Sequence, residues 1–478
     1  MTGGAAAPNN GLGRGRRQPR ADTLVVAMLG LIGLWRGLWP IADNSAFTHW
    51  ATGIRMVRDG LLPAIPRVDP YSFTARGHSW VVQSWLPALG VGWVHRLGGE
   101  HAVVLLNGLT MGALAWLVTT LARTGKPLRT FVAAGTAILV GAPTWAPRPL
   151  LVGLLCLGLL ILFVERRISP WWLVPLVWVW VNSHGSFPLG LGWLVLVTAG
   201  SYLDRTRGSD DDVVPLRYLG AFAVGLVAAA INPLGVRLLT FPSTALTKRE
   251  VFSKIVEWQS PDFQSTTGVL MLAGLVLTVL ILVRGRLLWR DALPVAVFIG
   301  LGLSGARNMA PLGIVVAPVL GRSLSKQTAT VVAGDLFRVV AIGLAVAALC
   351  VTVLSTGTAS IATTNYPVAS IRWLERHHRF DAPHRVATFD FVGNYLELRH
   401  GARGEVFIDD RADMFPIEVE RDFRGMRDGT DRGVRALERW DIDTVLWRSA
   451  DAFPQRLTAT GGWTVADRQT EWVVLTRG

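Results

Sequence analysis

Cysteine is nearly absent from this chain. The two present, Cys156 and Cys350, both sit inside apolar runs, which excludes a disulfide framework and a thiolate metal site. Lysine is scarce as well: Lys126, Lys248, Lys254 and Lys326 are the only four of 47 basic residues, a compositional bias that says little about function. Charged residues make up only 17% of the 478, against 51% hydrophobic, so the chain falls in the membrane class rather than among soluble globular proteins. No internal repeat of solenoid or propeller length is visible. A small-residue cleavage site is missing too. The first apolar run leads into Trp39-Pro40-Ile41-Ala42-Asp43, so the first helix is expected to stay as an anchor.

What is present is long apolar runs punctuated by arginine. A net charge of +13 would point to nucleic acid in a soluble protein, but here the arginines serve first as topology signals, and no nucleic-acid partner is expected. Residues 1–22, rich in Gly, Ala, Pro and Arg, are expected to form a disordered basic cytoplasmic tail. Apolar spans follow at about 23–41, 101–122, 131–143, 149–164, 170–182, 187–203, 216–232, 268–284, 291–304, 309–321 and 335–355. The stretch 81–99, broken by Pro87 and glycines, is expected to lie at the interface or to enter only partway. With that choice the basic turns around Arg166, Arg205, Arg290 and Arg322 all fall on the cytoplasmic side. The expectation is a polytopic α-helical protein of the cell (inner) membrane, with about 11 transmembrane helices over 23–357 and a long first external loop at 43–100. A C-terminal extracytoplasmic α/β domain is expected over 358–478, with strands at 384–389, 405–408, 443–447, 463–467 and 472–476.

The polar groups with chemical potential lie on the expected outer face. The first loop carries Asp43, His49 and Asp69, followed by Trp80, Gln83 and Trp85. Short polar side chains alternating with aromatics suit a polar ligand held beside lipid, although the same pattern also describes an interfacial loop with solvated acids. Later outward turns add Arg148, His184, Glu257, Arg307 and Asn308. A phosphate leaving group is already stable as an anion, so such a site needs mainly a cation beside it and a base on the attacking hydroxyl. Arg148 and Arg307 are the cation candidates and Asp43 the base candidate, with Asp69 and His49 as further catalytic candidates. Each has a structural alternative: Arg148 between two prolines marks a helix end, His184 caps a helix, and Glu257-Trp258 anchors at the interface. His49 shares the site with Asp43 only if the helix starts after Asp43. Phe407-Ile408-Asp409-Asp410-Arg411 reads first as a turn with a local salt bridge.

At these residues the sequence resembles the GT-C superfamily of integral-membrane glycosyltransferases. The similarity rests on Asp43 after the first span, the loop motifs Asp69-Pro70-Tyr71-Ser72-Phe73-Thr74 and Trp80-Val81-Val82-Gln83-Ser84-Trp85-Leu86, and the multispan layout. A poorly characterised bacterial branch, related to protein mannosyltransferases and aminoarabinose transferases, is matched by Val181-Asn182-Ser183-His184-Gly185, Asn232-Pro233-Leu234-Gly235, Glu257-Trp258-Gln259-Ser260-Pro261-Asp262-Phe263 and the Phe407–Arg411 motif. The resemblance implies transfer of a sugar from a polyprenyl-phosphate donor to a glycan, lipid or protein acceptor, with Asp43 as base. Many members carry two adjacent acids after the first span, whereas the second position here is Asn44, which weakens the case for a divalent cation. The Trp-Trp-Asp signature of oligosaccharyltransferases is missing, which favours monosaccharide transfer. A lipid-linked sugar transporter and a non-catalytic envelope assembly protein are the alternatives from other classes.

Overall fold

Apolar runs bounded by turn residues become helices at nearly every expected position. The computed structural model describes residues 22–61, 64–209, 213–243, 247–253, 255–285, 287–326, 360–403 and 405–478, so the tail before residue 22 and the span expected at 335–355 lie outside the described residues. The helices are α1 Thr23–Gly37, α2 Asn44–Arg58, α3 Trp85–Leu121, α4 Pro127–Gly141, α5 Leu150–Glu165, α6 Leu173–Val181, α7 Phe187–Thr206, α8 Arg217–Ala229, α9 Thr266–Leu282, α10 Trp289–Ser304 and α11 Met309–Ser325. From Met309 to Gly321 every residue of α11 is buried, which its unbroken apolar sequence requires. By length and composition two described helices, α3 and α7, suffice to cross a membrane; five further helices are apolar but shorter.

The expected division near residue 99 is an elbow inside α3. Gly98 (φ −149°, ψ 17°) and Gly99 (φ 64°, ψ −155°) leave helical geometry, and the left-handed φ of Gly99 suits a residue without Cβ. The two arms, 85–97 and 100–121, correspond to the stretches 81–99 and 101–122 that the sequence separates. Arm 85–97 crosses α2 backbone to backbone: a Cβ built on Gly53 would lie 2.0 Å from the Ala88 carbonyl oxygen, and one on Gly92 would lie 2.1 Å from that of Gly53. Only glycine permits that approach, and it fixes where α2 lies.

Residues after 360 form a four-stranded sheet with helices α12 Val368–Arg376, α13 Asp390–His400, α14 Ile417–Arg427, α15 Asp431–Arg439 and α16 Ala452–Thr460. Strands β1 Val386–Ala387, β2 Thr444–Arg448, β3 Trp463–Arg468 and β4 Trp472–Arg477 take the order β1-β2-β4-β3, with β1 parallel to β2 and the other pairs antiparallel. One expected strand is absent. Segment 405–408 makes a single parallel bridge between Val406 and Ser72, because its backbone groups are taken by the outer loop: Val406 N donates to Tyr71 O (3.0 Å) and Phe73 N donates to Val406 O (3.1 Å). A second bridge joins Ile41 to Ile361. The C-terminal domain is thus stitched to both flanks of Asp43.

Candidate functional site

Asp43 is the N-cap of α2, with extended backbone (φ −78°, ψ 117°), and α2 begins at Asn44. An aspartate here would ordinarily accept from an amide of the first helical turn. Its side chain makes no such bond and instead receives Arg148 Nε, at 2.7 Å from each carboxylate oxygen. Arg148 comes from the turn before α5, and its Nη1 reaches Glu257 at 2.7 Å. The three expected outer-face residues Asp43, Arg148 and Glu257 therefore form one linear array. Arg148 is occupied by carboxylates, which separates it from Arg307 as a phosphate ligand. Arg36, in the last turn of α1, places its guanidinium over Trp39 at 4.8 Å.

Beside this array is a cavity of about 530 Å³. At one end stand Arg307, His184, Gln83, Ser186, Asn308 and Trp258; along its length run Leu150, Gly153, Leu154 and Leu157. That spacing of three, four and seven residues is one face of α5, a track about 10 Å long at 1.5 Å per residue. Pro188, Leu189 and Pro311 complete the apolar wall. Gly153 keeps the track open, since a Cβ there would lie 2.6 Å from Ser186 Oγ. Arg307 stacks its guanidinium 4.2 Å over Trp258 and has no hydrogen-bond or ion-pair partner among the described residues. His184 Nδ1 accepts from the Ser186 amide (3.2 Å), which leaves Nε2 as the protonated nitrogen of a neutral ring. Burial, then Arg307, His49 and Arg148, push the pKa of His184 down to about 3, so the ring stays neutral near pH 7. Gln83 Oε1 accepts from Gly185 N at 2.9 Å, and Asn308 Nδ2 donates to Leu301 O at 3.0 Å.

Two of the loop aromatics serve as supports. Trp85 Nε1 donates to Asn182 Oδ1 at 2.9 Å. Trp80 lies over the guanidinium of Arg411 at 4.4 Å. Asp69, a catalytic candidate from sequence, is buried away from the cavity. Its oxygens accept from the amides of Tyr71 (3.1 Å) and Ser72 (2.9 Å) and from Ser72 Oγ, and pair with Arg411 at 2.8 Å. Geometry makes it a turn-former and a partner of the C-terminal domain. His49 lies on α2 one and a half turns past Asp43; burial and then Arg148 lower its pKa to about 4.

Asp410 is the neighbour that the sequence motif contained without revealing its role. Asn394 Nδ2 donates to its Oδ1 (2.6 Å), while Asn44 Nδ2 (3.1 Å) and Ser45 Oγ donate to its Oδ2. The acid absent at position 44 is thus replaced in space by one from the C-terminal domain. Burial, with a contribution from Asp409, raises the Asp410 pKa to about 6. Next to it Arg411 binds Asp409 (2.5 Å), Asp69 (2.8 Å) and Glu397 (3.4 Å), so the expected local salt bridge is present but extends across two segments of the chain. Among the described residues no three His, Cys, Asp or Glu side chains form a metal cage.

No family model and no curated protein sequence matches the chain. Solved structures do. The chain is similar to the Archaeoglobus fulgidus oligosaccharyltransferase in its apo form, with a TM-score of 0.52 and 13% identity, over 91% of this chain and 70% of that one. The archaeal oligosaccharyltransferase AglB from Archaeoglobus fulgidus, in complex with an inhibitory peptide and a dolichol-phosphate, gives 0.47 and 12% over 89% of this chain and 69% of that one. ArnT from Cupriavidus metallidurans bound to undecaprenyl phosphate gives 0.43 and 13% over 95% and 97%. This mostly helical chain with its small C-terminal sheet shares the fold of the Archaeoglobus fulgidus oligosaccharyltransferase.

Proposed function

We propose that the chain is a membrane glycosyltransferase that moves a sugar from a polyprenyl-phosphate donor to an extracytoplasmic acceptor. One observation carries the reading: Arg307, which has no hydrogen-bond or ion-pair partner among the described residues, and a proton-bearing neutral histidine, His184, line a cavity that also runs along an apolar face of α5, with Asp413 the one carboxylate residue among the described lining. A phosphate with a hydrocarbon tail matches both ends. Arg307 offers parallel donors to the phosphate oxygens, and His184 Nε2 adds one more. The hydroxyl oxygen of the acceptor attacks the anomeric carbon, the bond from that carbon to the phosphate oxygen breaks, and polyprenyl phosphate leaves as the anion held by Arg307. Asp43 takes the hydroxyl proton, with Arg148 and Glu257 fixing its carboxylate and Asp410 fixing the start of its helix. The GT-C fold supports a transferase; dolichol-phosphate and undecaprenyl phosphate, bound by the similar proteins, are lipids of the proposed donor class.

In this reading eleven helices cross the cell membrane, the N-terminal tail is cytoplasmic and the domain after residue 358 is outside. The test is transfer by purified protein in lipid, using radiolabelled polyprenyl-phosphate sugars and envelope acceptors, with wild type beside Asp43→Asn. Transfer by wild type that disappears in the variant is expected. If wild type and variant bind the lipid-linked sugar alike and neither consumes it, the transferase reading fails and transport takes its place.

A further inference from the structure

A second cavity, of about 250 Å³, lies on the other side of the α5 entry segment. The first cavity uses Leu150, Gly153, Leu154 and Leu157; the second uses Pro147, Arg148, Pro149, Leu151 and Val152. Its far wall is the elbow of α3, with Pro87, Ala88, Gly90 and Val91 from one arm and Val103 and Leu106 from the other. Five of its lining residues carry a polar group in the side chain: His49, Trp50, Asn107, Thr110 and Arg148. Three of these are already engaged within the protein: Asn107 Nδ2 donates to Gly37 O at 2.7 Å, Thr110 Oγ1 donates to Leu106 O at 2.8 Å, and Arg148 is held by Asp43 and Glu257. What remains for an occupant is His49, which makes no hydrogen bond among the described residues, and the buried Trp50 Nε1, which has no partner among them.

We propose that this elbow cavity binds the acceptor, and that the acceptor is a lipid: an amphiphile whose hydroxyl sits at His49 and Asp43 and whose hydrocarbon chain lies between the arms of α3. This rests on the transferase reading above and adds the acceptor class to it. A peptide or a free glycan placed here would bury amides or hydroxyls against Val91, Val103, Leu106 and Val152 with no partner for them, a cost of about 1–3 kcal/mol for each group. A hydrocarbon chain incurs no such cost. Geometry also accounts for the two-sided arrangement. Group transfer between two lipids needs two apolar channels close to one acid: Arg148, which holds Asp43, lines the elbow cavity, and Leu150, two residues on, lines the first cavity. The neutral ring of His49 can accept from the hydroxyl and orient its oxygen toward the anomeric carbon. The reaction balances as above, with the bond from the anomeric carbon to the phosphate oxygen exchanged for a glycosidic bond from that carbon to the lipid oxygen, and one proton passed to Asp43.

Gly90 provides a plug that spares the backbone, because a Cβ built there meets no atom within 4 Å. Full-length protein in lipid nanodiscs would be photolabelled with a long-chain primary alcohol bearing a mid-chain diazirine, and separately with a diazirine-bearing undecaprenyl phosphate. The alcohol is expected to label Val91, Val103, Leu106 and Val152, and the labelling to fall about tenfold or more in Gly90→Trp. Labelling of Leu154 and Leu157 by the polyprenyl probe should be equal in both proteins, which also shows that the variant is folded. Alcohol labelling that is unchanged by Gly90→Trp, or a polyprenyl probe found in the elbow, overturns the assignment. Sugar transferred by wild type should be recovered in an organic lipid extract. Its recovery in protein or water-soluble glycan overturns the lipid acceptor and leaves the transferase standing, whereas absence of transfer to every fraction removes both.

Discussion

Arg411→Leu tests how the C-terminal domain is held to the loop 43–100. In the native chain Arg411 is 7% exposed, and its guanidinium faces Asp69, Asp409 and Glu397, whose side chains are fully buried. Burial and then the charge of Asp409 raise the pKa of Glu397 well above the usual carboxylate range, which leaves Asp409 and Asp69 as the principal counter-charges of the guanidinium. Leucine keeps most of the volume between Trp80 and Tyr71 and removes the only cation in the cluster. Two buried carboxylates are then left without a counter-charge. Asp69 keeps its two backbone amides, so the larger penalty falls at Asp409, and the expected loss is about 3–5 kcal/mol. An internal control is available in Arg76→Leu. Arg76 pairs with Glu405 across the same two segments, but its side chain is 67% exposed, and losing it should cost no more than about 1 kcal/mol. Both variants would be followed in lipid nanodiscs by the rate at which protease releases the C-terminal domain, which reports the population of the open form. Cleavage should accelerate by about a hundredfold or more for Arg411→Leu and by less than about sixfold for Arg76→Leu. Adding Asp409→Asn to Arg411→Leu should restore part of the protection. Equal acceleration in the two single variants would refute the account of Arg411 as the tie.

Two other outcomes follow from the site itself. Arg307→Met should raise the KM for donor by about 10- to 100-fold, since one or two charge-assisted bonds of about 1.5–3 kcal/mol are lost, while the melting profile stays unchanged because Arg307 has no native ion pair. A KM that does not move would take Arg307 out of phosphate binding. For pH, the folded chain holds the Asp410 proton more tightly than the unfolded chain, the pKa rising from 3.8 to about 6. The group therefore favours the folded state below pH 4 and progressively less as pH climbs through 6, by up to about 3 kcal/mol in all. Wild type should lose stability relative to Asp410→Asn between pH 4 and 7 in parallel thermal melts; a constant difference over that range would contradict the sign.

The sequence made the helical layer legible because its apolar runs end in Pro, Gly and Arg, which break helices and bias topology in ways local to the chain. The elbow at Gly98 and Gly99 was visible for the same reason. The outward turns were legible as polar punctuation, and the structure brings Asp43, Arg148 and Glu257 into one array and His184, Arg307, Asn308 and Gln83 around one cavity. What stayed hidden was pairing over long separations. Asp69 looked like a site acid, yet its partner Arg411 is 342 positions away, computed as 411 minus 69, and no periodicity reports such a contact. Segment 405–408 had strand-like composition, but its hydrogen bonds go to the loop at Tyr71 and Phe73.

The dependence of α2 on Asn394 and Asp410 has a consequence for the order of synthesis. Asp43 is made among the first tenth of the residues, Arg148 after about a third, and Asp410 only in the last fifth. Until that final portion emerges, the amide of Asn44 and the hydroxyls of Ser45 and Thr48 lack the partners that fix the start of α2. A nascent chain halted before Ile408 would already hold the Asp43 carboxylate on Arg148 and the α5 face of the Arg307 cavity, but it would lack Asp410, the partner of Asn44 and Ser45 at the start of α2. The cavity wall is thus made early and the start of the helix behind the acid is fixed last.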